Sequence, residues 1–306
     1  MSIVVIGTVF VDIKGFPEDL YIPTGRNVGT VETFHGGVGR NVAEDIANVQ
    51  LNPILLTLVD DTATGEEVLR KLKAHEVDTR YVLTKKDGMG IWLAVFDSHG
   101  DLAGSISKRP QMLEMVKLLD EKGDEIFRDA DGIVIEIDLE EEIVTRVLAY
   151  AKKYGVKVFA LVSNMVLASQ RRDLLQQVDN FVCNLEEAEI LFVDELRNLS
   201  PEELAEDLAR RIEKARIPSM VITLGSKGSV YASLDGECGF YPAEKVKVRD
   251  TTGAGDAFCA GLTIGLTYGK TLPESVEIGT RLAASVIAIT ESTCPKFHPE
   301  ELGLHL

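Results

Sequence analysis

Compact apolar runs recur along the chain at positions 3–6, 54–59, 133–137, 156–162, 181–182 and 220–224. They are too short for helices and too uniformly apolar for half-exposed strands, so they predict strands covered on both faces. Between them the period changes to 3.6. Val42, Ile46 and Val49 mark one helix over 40–49, and Val68, Leu69 and Leu72 mark another over 66–75. A third covers 141–154 and stops at Gly155, a residue suited to a left-handed cap. Ser200-Pro201-Glu202-Glu203 opens a fourth with a capping box and a proline in the first turn. Leu204, Leu208, Ile212 and Ala215 form its buried stripe, and Glu206/Arg210 and Asp207/Arg211 pair on its solvent side.

Strand and helix alternating in this way predict an α/β fold: a doubly wound, mainly parallel sheet with helices on both faces. Such sheets bind ligands at the carboxyl ends of their strands. Residues 14–34 and 88–107 break the rhythm with no helical period, and the second reads as a hairpin turning at Ser98-His99-Gly100-Asp101. The expected organisation is an α/β core built from 1–13, 35–87 and 108–306, carrying a small discontinuous β lid made from 14–34 and 88–107. Two unrelated surface excursions are the alternative.

The 306 residues carry 49 acidic and 32 basic side chains, a net charge of −17 that duplex nucleic acid or an anionic membrane would repel. No apolar run approaches the ~20 residues that span a bilayer. The opening run has no basic flank and reads as a strand, not a leader. Cys183, Cys238, Cys259 and Cys294 are widely separated, which argues against a zinc ribbon or disulfide framework and for a cytoplasmic location.

Candidate chemistry lies in four segments. Asp250-Thr251-Thr252-Gly253-Ala254-Gly255-Asp256 precedes an apolar helical run. Gly253, Ala254 and Gly255 allow backbone amides to converge at a helix N-terminus, an anion hole, and Asp256 sets a carboxylate beside it. That pairing suits phosphoryl transfer to a hydroxyl, although an ordinary turn with a capping aspartate has the same letters. In His35-Gly36-Gly37-Val38-Gly39-Arg40-Asn41 the glycines let a ligand approach the backbone, and Asn41 offers a donor and an acceptor to a polyol. Thr223-Leu224-Gly225-Ser226-Lys227-Gly228 ends a strand where nucleotides bind in α/β sheets. Asn184 and Glu187 follow another strand and could organise a hydrated Mg²⁺, or simply cap a helix. Trp92 reads as a lid packing residue with base stacking as the alternative, Cys259 as a packing residue, the run 136–142 as a charged helix start, and His75, His99, His298 and His305 as solvent-facing.

In this order the four segments resemble the ribokinase-like, or phosphofructokinase B, family of carbohydrate and nucleoside kinases, over nearly the whole chain. The resemblance implies Asp256 as catalytic base, Gly253 to Gly255 as anion hole, and Asp12, Gly36, Gly37 and Asn41 as acceptor-binding residues. It implies ATP at Thr223, Gly225 and Gly228, Mg²⁺ at Asn184 and Glu187, and a monovalent cation such as K⁺ at Asp250 and Thr252. Gly-Gly-Val-Gly-Arg-Asn at 36–41 is similar to the pseudouridine-phosphorylating branch, which makes pseudouridine the leading acceptor. Free sugars of ribose, fructose or gluconate type are alternatives, as is a non-catalytic sensor of the same fold. The absence of aspartate from Leu161-Val162-Ser163-Asn164, and the charges of Ser107-Lys108-Arg109, depart from the common pattern. Family members pair through lid sheets, so the resemblance also implies a homodimer.

Overall fold

The computed structural model describes residues 2–304, so His305 lies outside the described residues. The chain opens with β1 (Ile3–Ile6), β2 (Phe10–Pro17), β3 (Gly29–Gly36), α1 (Val38–Asn48), β4 (Ile54–Asp60), α2 (Ala63–Ala74) and β5 (Val82–Lys85). It continues through β6 (Gly90–Phe96), β7 (Leu102–Lys108), α3 (Glu114–Phe127), β8 (Gly132–Glu136), α4 (Glu141–Tyr154), β9 (Lys157–Leu161), α5 (Met165–Ser169) and α6 (Arg172–Leu175). The remainder is β10 (Asn180–Asn184), α7 (Leu185–Phe192), α8 (Pro201–Ala215), β11 (Ser219–Thr223), β12 (Gly228–Ser233), β13 (Cys238–Pro242), α9 (Ala254–Thr267) and α10 (Leu272–Ile287).

Among the described residues, nine strands form one sheet in the order β13-β12-β11-β10-β9-β8-β1-β4-β5. Every pairing from β11 to β5 is parallel, while β12 and β13 run antiparallel as a hairpin on one edge. The period-2 alternation of β1 assigns its residues to two cores. Val4 and Ile6 pack with the α3, α4 and α8 side, and Ile3 and Val5 with the α1, α9 and α10 side. α9 is buried on nearly its whole surface. It crosses α10 so closely that a Cβ on Gly261 would lie 2.8 Å from the Cα of Gly279. The caps expected at Gly155 and Ser200 are present, the former at φ 67.

The two helix-free stretches form one four-stranded sheet, β3-β2-β6-β7. It is larger than expected: β2 starts at Phe10, β3 runs to Gly36 and β7 to Lys108, so residues 10–13, 35–36 and 108, expected in the core, belong to this sheet. β1 ends at Ile6, and nothing with a helical period separates it from β2, so the chain passes directly from one sheet into the other. Register puts Asp12 opposite Phe34 and Trp92, and Trp92 opposite Ser107, on one face; Ile13, Leu93 and Ile106 share the opposite face. Among the described residues no helix is long and apolar enough to cross a membrane.

Candidate active site

Helices α1 and α9 lie on the same side of the large sheet and begin beside each other. The turn entering α1 is set by Gly37, whose φ of 101 belongs to the region that glycine tolerates. A Cβ there would lie 2.5 Å from the carbonyl oxygen of Thr8, and one on Gly36 would collide with the Asp12 carboxylate. Arg40, one turn further on, has no solvent exposure. Its guanidinium pairs with Glu44 at 2.7 Å and donates to the carbonyls of His35 at 2.6 Å and Gly36 at 3.1 Å, to Ser292 Oγ at 2.9 Å, and to Asn41 Oδ1. Arg40 thereby fixes the amide of Asn41, whose Nδ2 donates to Asp256 Oδ2 at 2.6 Å.

Asp256 sits in the first turn of α9, three residues after Gly253, which adopts φ 82 as the capping residue. Burial pushes the Asp256 carboxyl up to about 6, against the lowering effects of the Asn41 hydrogen bond and the Arg40 charge. Ala254 N–H donates to Thr251 O at 3.3 Å, whereas among the described residues the amides of Gly253 and Gly255 have no protein acceptor. These amides and the helix dipole give the turn the character of an anion site.

The turn separates two cavities. One, of about 420 Å³, is lined by Phe10, Asp12, Gly37, Asn41, Trp92 and Asp256, together with Ser107, Arg109, Ser163 and Asn164. The other, of about 130 Å³, is lined by Thr223, Gly225, Gly228, Ala254, Gly255 and Phe258 among others. Gly225 and Gly228 take φ of 58 and 117, which lets the chain turn back tightly after β11. Gly253 and Asp256 face the first cavity and Ala254 and Gly255 the second. A donor phosphate entering from one side would therefore meet a hydroxyl entering from the other at the N-terminus of α9.

The remaining expected residues are placed as follows. Asn184 and Glu187 form a capping box on α7: Asn184 Oδ1 accepts from Glu187 N at 2.9 Å, and Glu187 Oε2 from Asn184 N at 2.8 Å. They line neither cavity, yet burial first, and then the charges of Asp138 and Asp256, lift Glu187 to about 7. Among the described residues no group of three or more His, Cys, Asp or Glu side chains could hold a metal ion directly. With Asn184 Oδ1 and Glu187 Oε2 used in the capping box, Glu187 Oε1 is the oxygen left to act as outer partner of a hydrated, phosphate-bound Mg²⁺. Asp250 and Thr252 do not present an open monovalent-cation site, because Lys14 Nζ lies 3.2 Å from Thr252 Oγ1 and 3.7 Å from Asp250 Oδ2.

Three further positions at the site were left open or read otherwise from the sequence. Trp92, expected to pack with base stacking as the alternative, lines the larger cavity. Arg109 pairs with Asp138 at 2.6 Å, and the Asp138 carboxylate also accepts from Ser163 N and Oγ at 3.0 and 2.9 Å. The departure at Ser163-Asn164 is thus part of the cavity wall, whereas Lys108 turns away to Asp87. Glu136, fully buried, accepts from the N–H groups of Thr8 at 2.5 Å and Gly39 at 2.9 Å, and so ties β8 to the α1 turn. A carboxylate at the end of an otherwise apolar strand was the available signal.

A family model described as pfkB family carbohydrate kinase matches residues 1–295. The chain belongs to this family. It is a phosphotransferase with an alcohol acceptor, a sugar or nucleoside kinase. The chain is similar to guanosine-inosine kinase of Exiguobacterium acetylicum, at 35% identity over 95% of this chain and 96% of that protein. It is 24% identical to pseudouridine kinase of Escherichia coli (strain K12), covering 96% of this chain and 92% of that one. Its fold matches the structure of Arabidopsis thaliana ribokinase complexed with ribose and ATP, with a TM-score of 0.80 at 21% identity, covering 98% of this chain and 97% of the other.

Proposed function

We propose that this family member is an ATP-dependent nucleoside kinase that phosphorylates the hydroxymethyl group of a purine nucleoside of the guanosine and inosine type. The observation that carries the acceptor class is the larger cavity, which opens on Asp256 and places the Phe10 and Trp92 rings and the Arg109 guanidinium around one space. Aromatic faces and a guanidinium suit a planar, hydrogen-bonding base better than a free sugar, and Asp12 and Asn41 suit the ribose hydroxyls. The 35% identity to a guanosine-inosine kinase along the whole chain supports the same class. Pseudouridine is the second reading, favoured by the Gly36 to Asn41 sequence.

In this mechanism Asp256 orients the acceptor hydroxyl and takes its proton as the oxygen bonds to the γ-phosphorus and the bond to ADP breaks. The free amides at the start of α9 hold the charge that spreads over the transferred group. Thr223, Gly225 and Gly228 line the ATP side. Mg²⁺, organised through water by Glu187, would neutralise phosphate charge when bound. Asn41 keeps the base pointed at the acceptor side.

ADP release measured with guanosine, inosine, pseudouridine, uridine, ribose and fructose tests the reading. The expected order puts guanosine and inosine highest in kcat/KM. Turnover of ribose or pseudouridine with inert purine nucleosides would replace the proposed acceptor.

A further inference from the structure

Lys14 carries a charge into a place where the family resemblance expects a free ion. It lies on β2, two residues past Asp12, with a side chain only 7% exposed. Its ammonium bonds Thr252 Oγ1 at 3.2 Å, faces the Asp250 carboxylate at 3.7 Å and stands 5.0 Å from the centre of the Phe34 ring. Asp250 Oδ1 accepts in turn from Thr252 N at 2.8 Å. Thr252 immediately precedes Gly253, so these bonds hold the segment that leads into α9. A cavity of about 130 Å³ lined by Asp12, Lys14, Asp250, Thr252 and Ser292, among others, adjoins the ammonium.

We propose that the Lys14 ammonium is a tethered monovalent cation that makes the enzyme independent of K⁺. An ammonium and a potassium ion carry the same charge and both favour oxygen partners. The oxygens of Asp250 and Thr252 that would receive the ion already have this one. Finally, the tether belongs to the small sheet, so Lys14 joins the acceptor-binding strand to the turn that stabilises the transferred phosphoryl group. Lys14 acts through that turn and is a positioning residue, not a catalytic one. Its removal opens space where a free cation could then bind.

The test compares wild type with Lys14→Met in potassium chloride and in tetramethylammonium chloride at equal ionic strength. Wild type should turn over and melt identically in both salts. The variant, which keeps the apolar stem and loses the charge, should lose roughly 10- to 100-fold in kcat without potassium, the scale of a displaced reacting group or a weakened anion hole. Potassium should restore that rate and raise the melting temperature of the variant alone. The melting measurement needs no acceptor, so a wrong acceptor assignment leaves it intact. Potassium activation of wild type would overturn the proposal whether or not the variant folds. So would a folded variant that potassium neither rescues nor stabilises.

Discussion

Asp256 concentrates most of the chemistry proposed for this site in one side chain. A group that must accept a proton works only when ionised, and burial has moved this carboxyl from its ordinary value of 3.8 up to about 6. The protonated, inactive form therefore persists to higher pH than for an exposed aspartate. The kcat/KM profile should fall as pH drops through about 6 and level off above it. Asp256→Asn should keep the fold, because Gly253 and not Asp256 caps α9, and should still bind ATP, while kcat falls by roughly 10²–10⁴, the span for loss of a positioned base. Steady-state kinetics across pH check both points, and a near-normal rate in the variant would remove Asp256 as the base. This residue was legible in the sequence because its role is local: two glycines and a carboxylate within four positions. Lys14, Glu136 and the Arg109 and Asp138 pair were not, because each acts on a partner in a distant segment. Glu136 and Thr8 are 128 positions apart and Lys14 and Thr252 are 238 apart, separations that no local spacing encodes.

At the level of elements, the start of α9 shows why two glycines in one motif do different work. Gly253 has φ 82, and a Cβ there would run into the carbonyl of Ser292. Gly255 has an ordinary helical backbone, with nothing within 4 Å of an added Cβ. The positive φ of this motif belongs to Gly253 and not to Gly255. Gly253→Ala should cost about 1–3 kcal/mol in backbone strain alone, with the clash in addition, and lower the melting temperature along with activity. Gly255→Ala should leave the melting temperature unchanged and raise the KM for ATP, since its methyl group enters the cavity lined by Thr223 and Gly225. Thermal unfolding and ATP kinetics on the two variants decide this, and the opposite pattern would invalidate the division of labour. Elements were legible where a single environment surrounds them. The buried strands β1, β4, β8 and β11 stood out as apolar runs, but the β12 and β13 edge hairpin did not, because its exposure is mixed. For Asn184 and Glu187 the sequence left metal partner and helix cap open, and the structure supplies the cap.

Over the whole molecule, the small sheet has two unlike faces. One presents Phe10, Asp12 and Trp92 to the larger cavity. The other carries Ile13 beside Leu93, Leu93 beside Ile106, and Gly15 beside Val31, with Val31 73% and Ile106 71% exposed. An exposed apolar face of this kind on a folded chain is the mark of an association surface. The net charge of −17 restricts where two copies could meet, since most approaches bring acid against acid. The central rows of this outer face hold no charged side chain, so a second copy of the chain would meet no like charge there. A dimer formed through it would also brace β2, which carries Asp12 and Lys14, from behind. Sedimentation should therefore find wild type as a dimer. Leu93→Glu with Ile106→Glu should sediment as a monomer with the melting of the core retained, because both side chains project away from the large sheet. Acceptor KM should rise more than ATP KM in that variant, as the strand lining the acceptor cavity loses its support while the Thr223 to Gly228 turn does not. A wild type that is monomeric at all concentrations would remove the dimer, and equal effects on both substrates would remove the bracing role of the outer face.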